Sequence, residues 1–320
     1  MDRRSLLKGL AAGAVAAPAA GMLSAAPASA APAQFNVLVG DVSSGKIFLF
    51  DRNKPFTDAH IKWSLNPAGS GHPMEHRFRD TDGDGRILLA VTGTPTSGTA
   101  SIYRRSDKAK LWQADVPNYP HAIERARGTG VVVVAGRSHG SGGGAATGGS
   151  LHVFRPRNNR VGSLVRAGSP IPFHQAHGLL WDPRLERMWV TGGKRLTAYR
   201  IVTTGGTAKL VEDTDRRLDA FTRAHDLQPD HQNPGRLLVT DTYGVYAVDK
   251  ATMRKSAPLH SRRLVKSYVH HASGEQMWTG AVQGGNAFGT KYVHFNVSGV
   301  ARARNGAILY KARLETPDYL

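Results

Sequence analysis

From Phe35 onward the chain alternates short apolar runs with polar turns rich in Gly, Pro, Asp and Asn. Five stretches share one frame: EHRFRDTDGDGRILLAVTG (75–93), PHAIERARGTGVVVVAGRS (120–138), AHGLLWDPRLERMWVTGGKRLTAYRI (176–201), AHDLQPDHQNPGRLLVTDTYGVYAVDKAT (224–252) and VKSYVHHASGEQMWTGAV (265–282). Each predicts a short strand, a polar turn, a stronger strand, a loop and a strand rich in aromatic residues. A fourth, more polar strand follows in places, as in AKLVEDT (208–214) and SAPLHSRRL (256–264). His121 precedes His177 by 56 residues and His177 precedes His225 by 48. Lys266 follows at 41, and Arg77 precedes His121 by 44. Four short strands repeating at roughly 40–50 residues mark the blades of a β-propeller. FNVLVGDVSSGKIFLFDRN (35–53) supplies the second and third strands of one more blade. The expected fold is therefore all-β, a six-bladed β-propeller of four-stranded blades. Its first blade lacks an inner strand, and the segment 306–320 is the candidate to close the ring. A two-sheet sandwich would not return one pattern so regularly, and no long stretch of the mature chain has helical periodicity.

Composition agrees. The 36 glycines and 17 prolines among short β-branched and aromatic runs favour strands and turns. With no cysteine, disulfides, thiolate metal sites, Cys nucleophiles and a lipidated N-terminal cysteine are excluded. Residues 1–30 have a basic start, an Ala/Gly-rich middle and the cleavage-like Ala28-Ser29-Ala30. The pair Arg3-Arg4, followed by Ser5-Leu6-Leu7-Lys8, resembles a twin-arginine export signal, so the expectation is a secreted protein with one domain over 31–320. Pro18 and the weak hydropathy argue against a membrane span. Net charge is +18, and removing a leader with three cations and one anion leaves +16. Such a charge attracts polyanions, although scattered arginines without a long basic run also serve solubility.

In a propeller the first strand of each blade lines the central channel. His121, His177 and His225 open that strand, the register adds Lys266, and blade two offers Glu75, His76 or Arg77, with Arg77 the candidate. Converging at one mouth, these side chains could hold a divalent metal on His121, His177 and His225. They could equally form a cationic socket for a carboxylate, sulfate or phosphate. A third reading is a packing network, as with the Gly-His pair of WD-repeat propellers. The loops after the second strands fall on the same face: 136–150, 191–195, 241–244 and 283–291. They are glycine-rich and offer Arg137, His139, Lys194, Arg195, Tyr243, Gln283 and Asn286. The stretch 138–150 can also be an insertion without a role. Asp80, Asp82 and Asp84 open like a calcium loop, but the later acidic ligand is missing, and a plain Asp-Gly turn accounts for them as well. No phosphate loop, nucleophile elbow, HExxH or nucleic-acid module is present; beyond charge, nothing points to specific nucleic acid.

The motifs PHAIE, AHGLLWD, LTAYRI, AHDLQP and VKSYVHHA, in this order, resemble an uncharacterised family of secreted bacterial six-bladed propellers, a domain of unknown function. The resemblance covers most of the mature chain and implies the fold; EHRFRD fits it least. By analogy of architecture, propellers with histidine-lined channels include polysaccharide lyases that act on uronates, some with a divalent metal. One expectation is thus a lyase on acidic carbohydrate. In it His177 and His225 neutralise charge or ligate a metal, His121 is a third ligand, and Lys266 or Tyr243 is the base, with Arg137 and Gln283 binding ligand. The other is a non-catalytic propeller that binds an anionic glycan or a protein partner, and under either reading a propeller of this size is expected to be a monomer.

Overall fold

The computed structural model describes residues 33–69, 71–137, 148–297 and 299–316. Six antiparallel sheets follow one another along the chain and form a six-bladed propeller. The inner strands of blades two to six are His72–Thr81, Pro120–Arg125, Ala176–Asp182, Asp226–Pro229 and Val265–His270. Blade one takes its inner strand from the other end of the chain. Leu309–Leu314 pairs with Asn36–Asp41, with Val37 opposite Leu314 and Val39 opposite Ala312. The strand Leu309–Leu314, within the candidate closing segment, therefore closes the ring by lending blade one its missing strand.

Two blades vary the four-strand plan. In blade four one 18-residue element, Arg187–Thr204, pairs with the inner strand through residues 187–192 and with Thr207–Ala224 from Gly193 on. It thus serves as second and third strand, and the predicted strand at 208–214 is part of Thr207–Ala224. In blade three two short strands, Val165–Arg166 and Ile171–Pro172, share the outer edge of Ser150–Arg155. Helix among the described residues amounts to two 3-10 turns, Asp58–His60 and Val161–Ser163. None is long and apolar enough to cross a membrane. The expected leader lies outside the described residues.

The apolar runs are nearly continuous because both faces of each sheet are buried. In Gly85–Thr94, Ile87, Leu89 and Val91 pack with Ile123, Val132 and Val134 of blade three. Leu88 and Ala90 point the other way, to Leu38 and Leu49 of blade one. Val133 and Ala135 meet Leu179 and Val190 of blade four. The period of two along each strand thus welds a sheet to both neighbours, and six such clusters run around the ring.

The axis is filled by charge instead. Arg313 gives Nη2 to Glu75 and to Asp226, each at 2.7 Å, joining blades one, two and five across the channel. Lys311 lies 3.1 Å from Glu75 and donates to the His121 carbonyl at 3.1 Å. One level on, Glu124 accepts from Arg77 at 2.6 Å and from Arg79 at 2.7 Å. Burial alone would raise the Glu75 pKa, but Arg313, Lys311 and Arg77 outweigh it and hold the carboxyl well below its ordinary value. Four cations face three carboxylates, so the plug carries one excess positive charge. Arg77, the blade-two candidate for ligand binding, belongs to this plug: it is buried and committed to Glu124 and the Leu179 carbonyl.

Removing one partner of a buried ion pair strands the others, which costs about 3–5 kcal/mol. Arg313→Ala leaves Glu75 and Asp226 without their shared guanidinium. Equilibrium urea unfolding should show a loss of that size.

Candidate functional site

The recurrence of the histidines has a backbone cause. Five of the six inner strands carry a register irregularity just after their start, and blade five has a like two-against-one arrangement at the residue before its strand. In blade three Pro120 pairs with Gly136 and Ala122 with Ala135, so His121 is the extra residue. The register skips His177 and Lys266 in the same way. In blade five both His225 and Asp226 donate to Thr240, through its carbonyl and its hydroxyl respectively. Blade two skips Met74, and in blade one Tyr310 and Lys311 stand opposite the single Gly40. A β-bulge re-aims the side chain it carries. Repeated six times, it builds a ring of Tyr310, Met74, His121, His177, His225 and Lys266. The blade-two member is therefore Met74, fully buried, and not Arg77 three residues later.

A second device precedes the bulge. Tyr119, Gln175, Arg223 and Leu264, each two residues before a ring residue, have left-handed backbones with φ of 54, 51, 60 and 59°. Such conformations are uncommon for non-glycine residues and gather at ligand sites. All four side chains line one cavity of about 290 Å³ over the ring, with Arg137, Thr242, Phe288 and Tyr310.

The three imidazoles form its floor. Ring centroids lie 4.2 Å apart for His121 and His177, and 3.9 Å for His177 and His225. His121 Nδ1 donates to the Tyr119 carbonyl at 2.8 Å, which fixes its tautomer. The Tyr310 hydroxyl lies 3.3 Å from His225 Nε2 and 3.5 Å from His177 Nε2. The point that these two nitrogens share is thus held by a phenol. The rings are packed side by side at tilted angles and hydrogen-bonded, not set as a tripod of imidazoles around one centre. Among the described residues no group of three His, Asp or Glu is placed to hold a metal ion.

Burial drives all three histidine pKa values well below the ordinary value, and the neighbouring positive charges push the same way. The floor is therefore neutral, which disfavours the cationic-socket reading of the histidines themselves. Burial likewise raises the Tyr310 phenol well above its usual value, so it keeps its proton. Positive charge comes instead from Lys266, Arg137 and Arg223, which line the cavity with no hydrogen bond or ion pair from their side chains among the described residues. Burial, then Arg137, Arg223 and Lys311, lowers Lys266 to about 8. The acidic residue of the lining, Asp241, is spent on the backbone: it accepts from Tyr243 N at 2.7 Å and Thr222 N at 3.0 Å.

Of the sequence candidates, His121, His177, His225, Lys266 and Arg137 meet in this cavity. Tyr243 lies outside its lining, 48% exposed, with the Arg263 guanidinium 4.7 Å over its ring. Gln283 and Asn286 are exposed and also outside it, although Ala287 and Phe288 of the same loop take part. His139 lies outside the described residues. Asp80 pairs with Arg86, and Asp84 accepts from Val161 N at 2.8 Å, so this Asp-Gly turn ties blade two to blade three. Tyr310 and Arg223 were not among the candidates. A signal for Tyr310 existed: it follows Lys266 by 44 residues, one more repeat.

No family model matches the chain, and no curated protein matches it. Solved structures do. A functionally unknown protein from Desulfotomaculum acetoxidans superposes with a TM-score of 0.57 at 10% identity, over 89% of this chain and 86% of that one. A candidate 6-phosphogluconolactonase from Bacteroides fragilis gives 0.56 at 13% identity, over 89% and 84%. Another from Bacteroides uniformis gives 0.55 at 13% identity, over 88% and 99%. The propeller is shared. At such identities the likeness extends to the fold alone.

Buried neutral histidines give the protein a pH signature. Above about pH 6.5 folded and unfolded histidines are both neutral, and nothing is lost. Below it the unfolded chain binds protons that the folded one refuses; His76, packed against Gly40, refuses them down to about 3. Stability should fall as pH drops from about 6.5, by up to roughly 1.4 kcal/mol per unit for each such histidine. Urea midpoints across that range measure the slope, and His177→Gln should make it shallower by about one proton.

Proposed function

We propose that the channel mouth binds an acidic saccharide through its carboxylate, and that Lys266 removes the proton beside that carboxylate in a β-elimination. The observation that carries this reading is the convergence of Lys266, Arg137 and Arg223, without carboxylate partners among the described residues, on one cavity over a neutral floor. Unpaired cations in a partly desolvated cavity bind anions strongly, and guanidinium groups suit a carboxylate. Arg137 and Arg223 neutralise the uronate carboxylate and so acidify the adjacent C–H. Lys266, with its pKa at about 8, is roughly one-tenth free amine at pH 7 and can accept that proton. The C–H electron pair becomes the C=C bond, and the glycosidic oxygen leaves from the β-carbon. Tyr310, which keeps its proton and is backed by His177 and His225, supplies a donor to that oxygen.

A second reading keeps the binding and drops the turnover. The same three cations would hold an anionic glycan without any chemistry, and the hydrogen-bonded imidazole floor would then be structural.

Calorimetric titration with uronate oligosaccharides, beside an absorbance assay for the unsaturated product, separates the two. Arg223→Ala should weaken binding by roughly 10- to 100-fold, the worth of a charge-assisted hydrogen bond. Lys266→Met should still bind but release no product, and wild-type turnover should rise with pH toward about 8. Binding without product in the wild type would remove the elimination and leave the binding module. No binding by either protein would overturn both.

A further inference from the structure

A second cavity adjoins the first. It measures about 690 Å³ and shares Gln175 and Arg223 with the channel mouth. Both shared residues have left-handed backbones, so the same strained turns wall both spaces. The far side is the turn of blade four at Gly192-Gly193-Lys194-Arg195. A Cβ on Gly192 would stand 2.2 Å from the Gln175 carbonyl, and one on Gly193 2.7 Å from His174 Cδ2. Glycine thus lets this turn close against the segment before the inner strand. The charge of the groove is again positive. Arg195 is answered by Asp219 at 2.9 Å, but Asp219 also serves Arg217, so one carboxylate faces two guanidinium groups. Lys194 is exposed, with no side-chain partner among the described residues. The mouth alone falls at the small end of the range for small-molecule sites, roughly 300–1,000 Å³, whereas the two spaces together approach its upper end.

We infer that this groove holds the next units of the same acidic chain, so that the ligand of the mouth is a polyuronate-type oligosaccharide running out over blade four. The inference rests on the reading of the mouth as a uronate site and extends it. Arg223, at the junction, lies between successive carboxylates, and Lys194 meets one further along. The groove also gives the elimination its leaving group: the bond broken at the β-carbon must join a second sugar, which needs room beside the mouth. A free monosaccharide would fill the mouth and leave the groove to solvent.

The test is a length series on the full chain. Galacturonate and alginate oligomers of one to five units are titrated calorimetrically into the wild type, Lys194→Ala and Lys194→Arg. Affinity should rise at least tenfold from monomer to tetramer in the wild type for the preferred series. Lys194→Ala should lose most of that rise and keep the monomer affinity, and Lys194→Arg should restore it. A wild-type affinity independent of length, or a rise untouched in Lys194→Ala, would overturn the groove while leaving the mouth as a uronate site. No binding of any length would overturn the mouth, and the groove with it.

Discussion

One guanidinium, Arg313, holds carboxylates from two other blades at the axis of the ring. An isolated charge in such a place would be prohibitively costly, and only mutual pairing makes it tolerable. Paired, it fixes three blades relative to one another in a part of the molecule with little apolar surface. The side chains directly above, on the same strands, inherit that order. Tyr310 stands three residues before Arg313, and His225 one residue before its partner Asp226. The geometry of the cavity floor is in this sense set from beneath.

The electrostatics of plug and mouth are continuous. Burial keeps the imidazoles above unprotonated, and Lys311 pushes the same way as one of several neighbouring positive groups. A neutral imidazole can pack closely against another and share a hydrogen bond with a phenol, whereas three imidazolium rings at these separations would repel one another. The ring is thus polar and uncharged at the floor, and cationic at the walls where Lys266, Arg137 and Arg223 reach the cavity.

The blade count and the inner strands of blades two to six were legible in the sequence, because a two-sided sheet leaves a plain signature, continuous apolar runs at a fixed repeat, whereas the way the last strand completes blade one was not. The recurring histidines were legible for the same reason, being locked to that repeat. Blade two defeated the register because its ring member is Met74, which does not look like its counterparts, while the nearby Arg77 does look like a ligand residue. Tyr243 and Gln283 sat in the right loops but on the wrong side of them; direction within a loop depends on φ and ψ, and no residue pattern marks it. Arg223 was hidden because its importance comes from a left-handed backbone that favours glycine or asparagine, so arginine gives no hint of it. The charge state of the histidines was also out of reach, since it follows from burial and from Lys311, far along the chain.

The pairing of Val37 with Leu314 spans 277 positions of sequence. Closing so long a loop is slow, because its entropy must be surrendered before the contacts that reward it exist. Tyr310 rides on that last strand. A chain with an open seam lacks the strand that carries both Tyr310 and Arg313, and so has neither its phenol nor the centre of its plug. The cavity floor and the closed ring thus depend on one and the same strand.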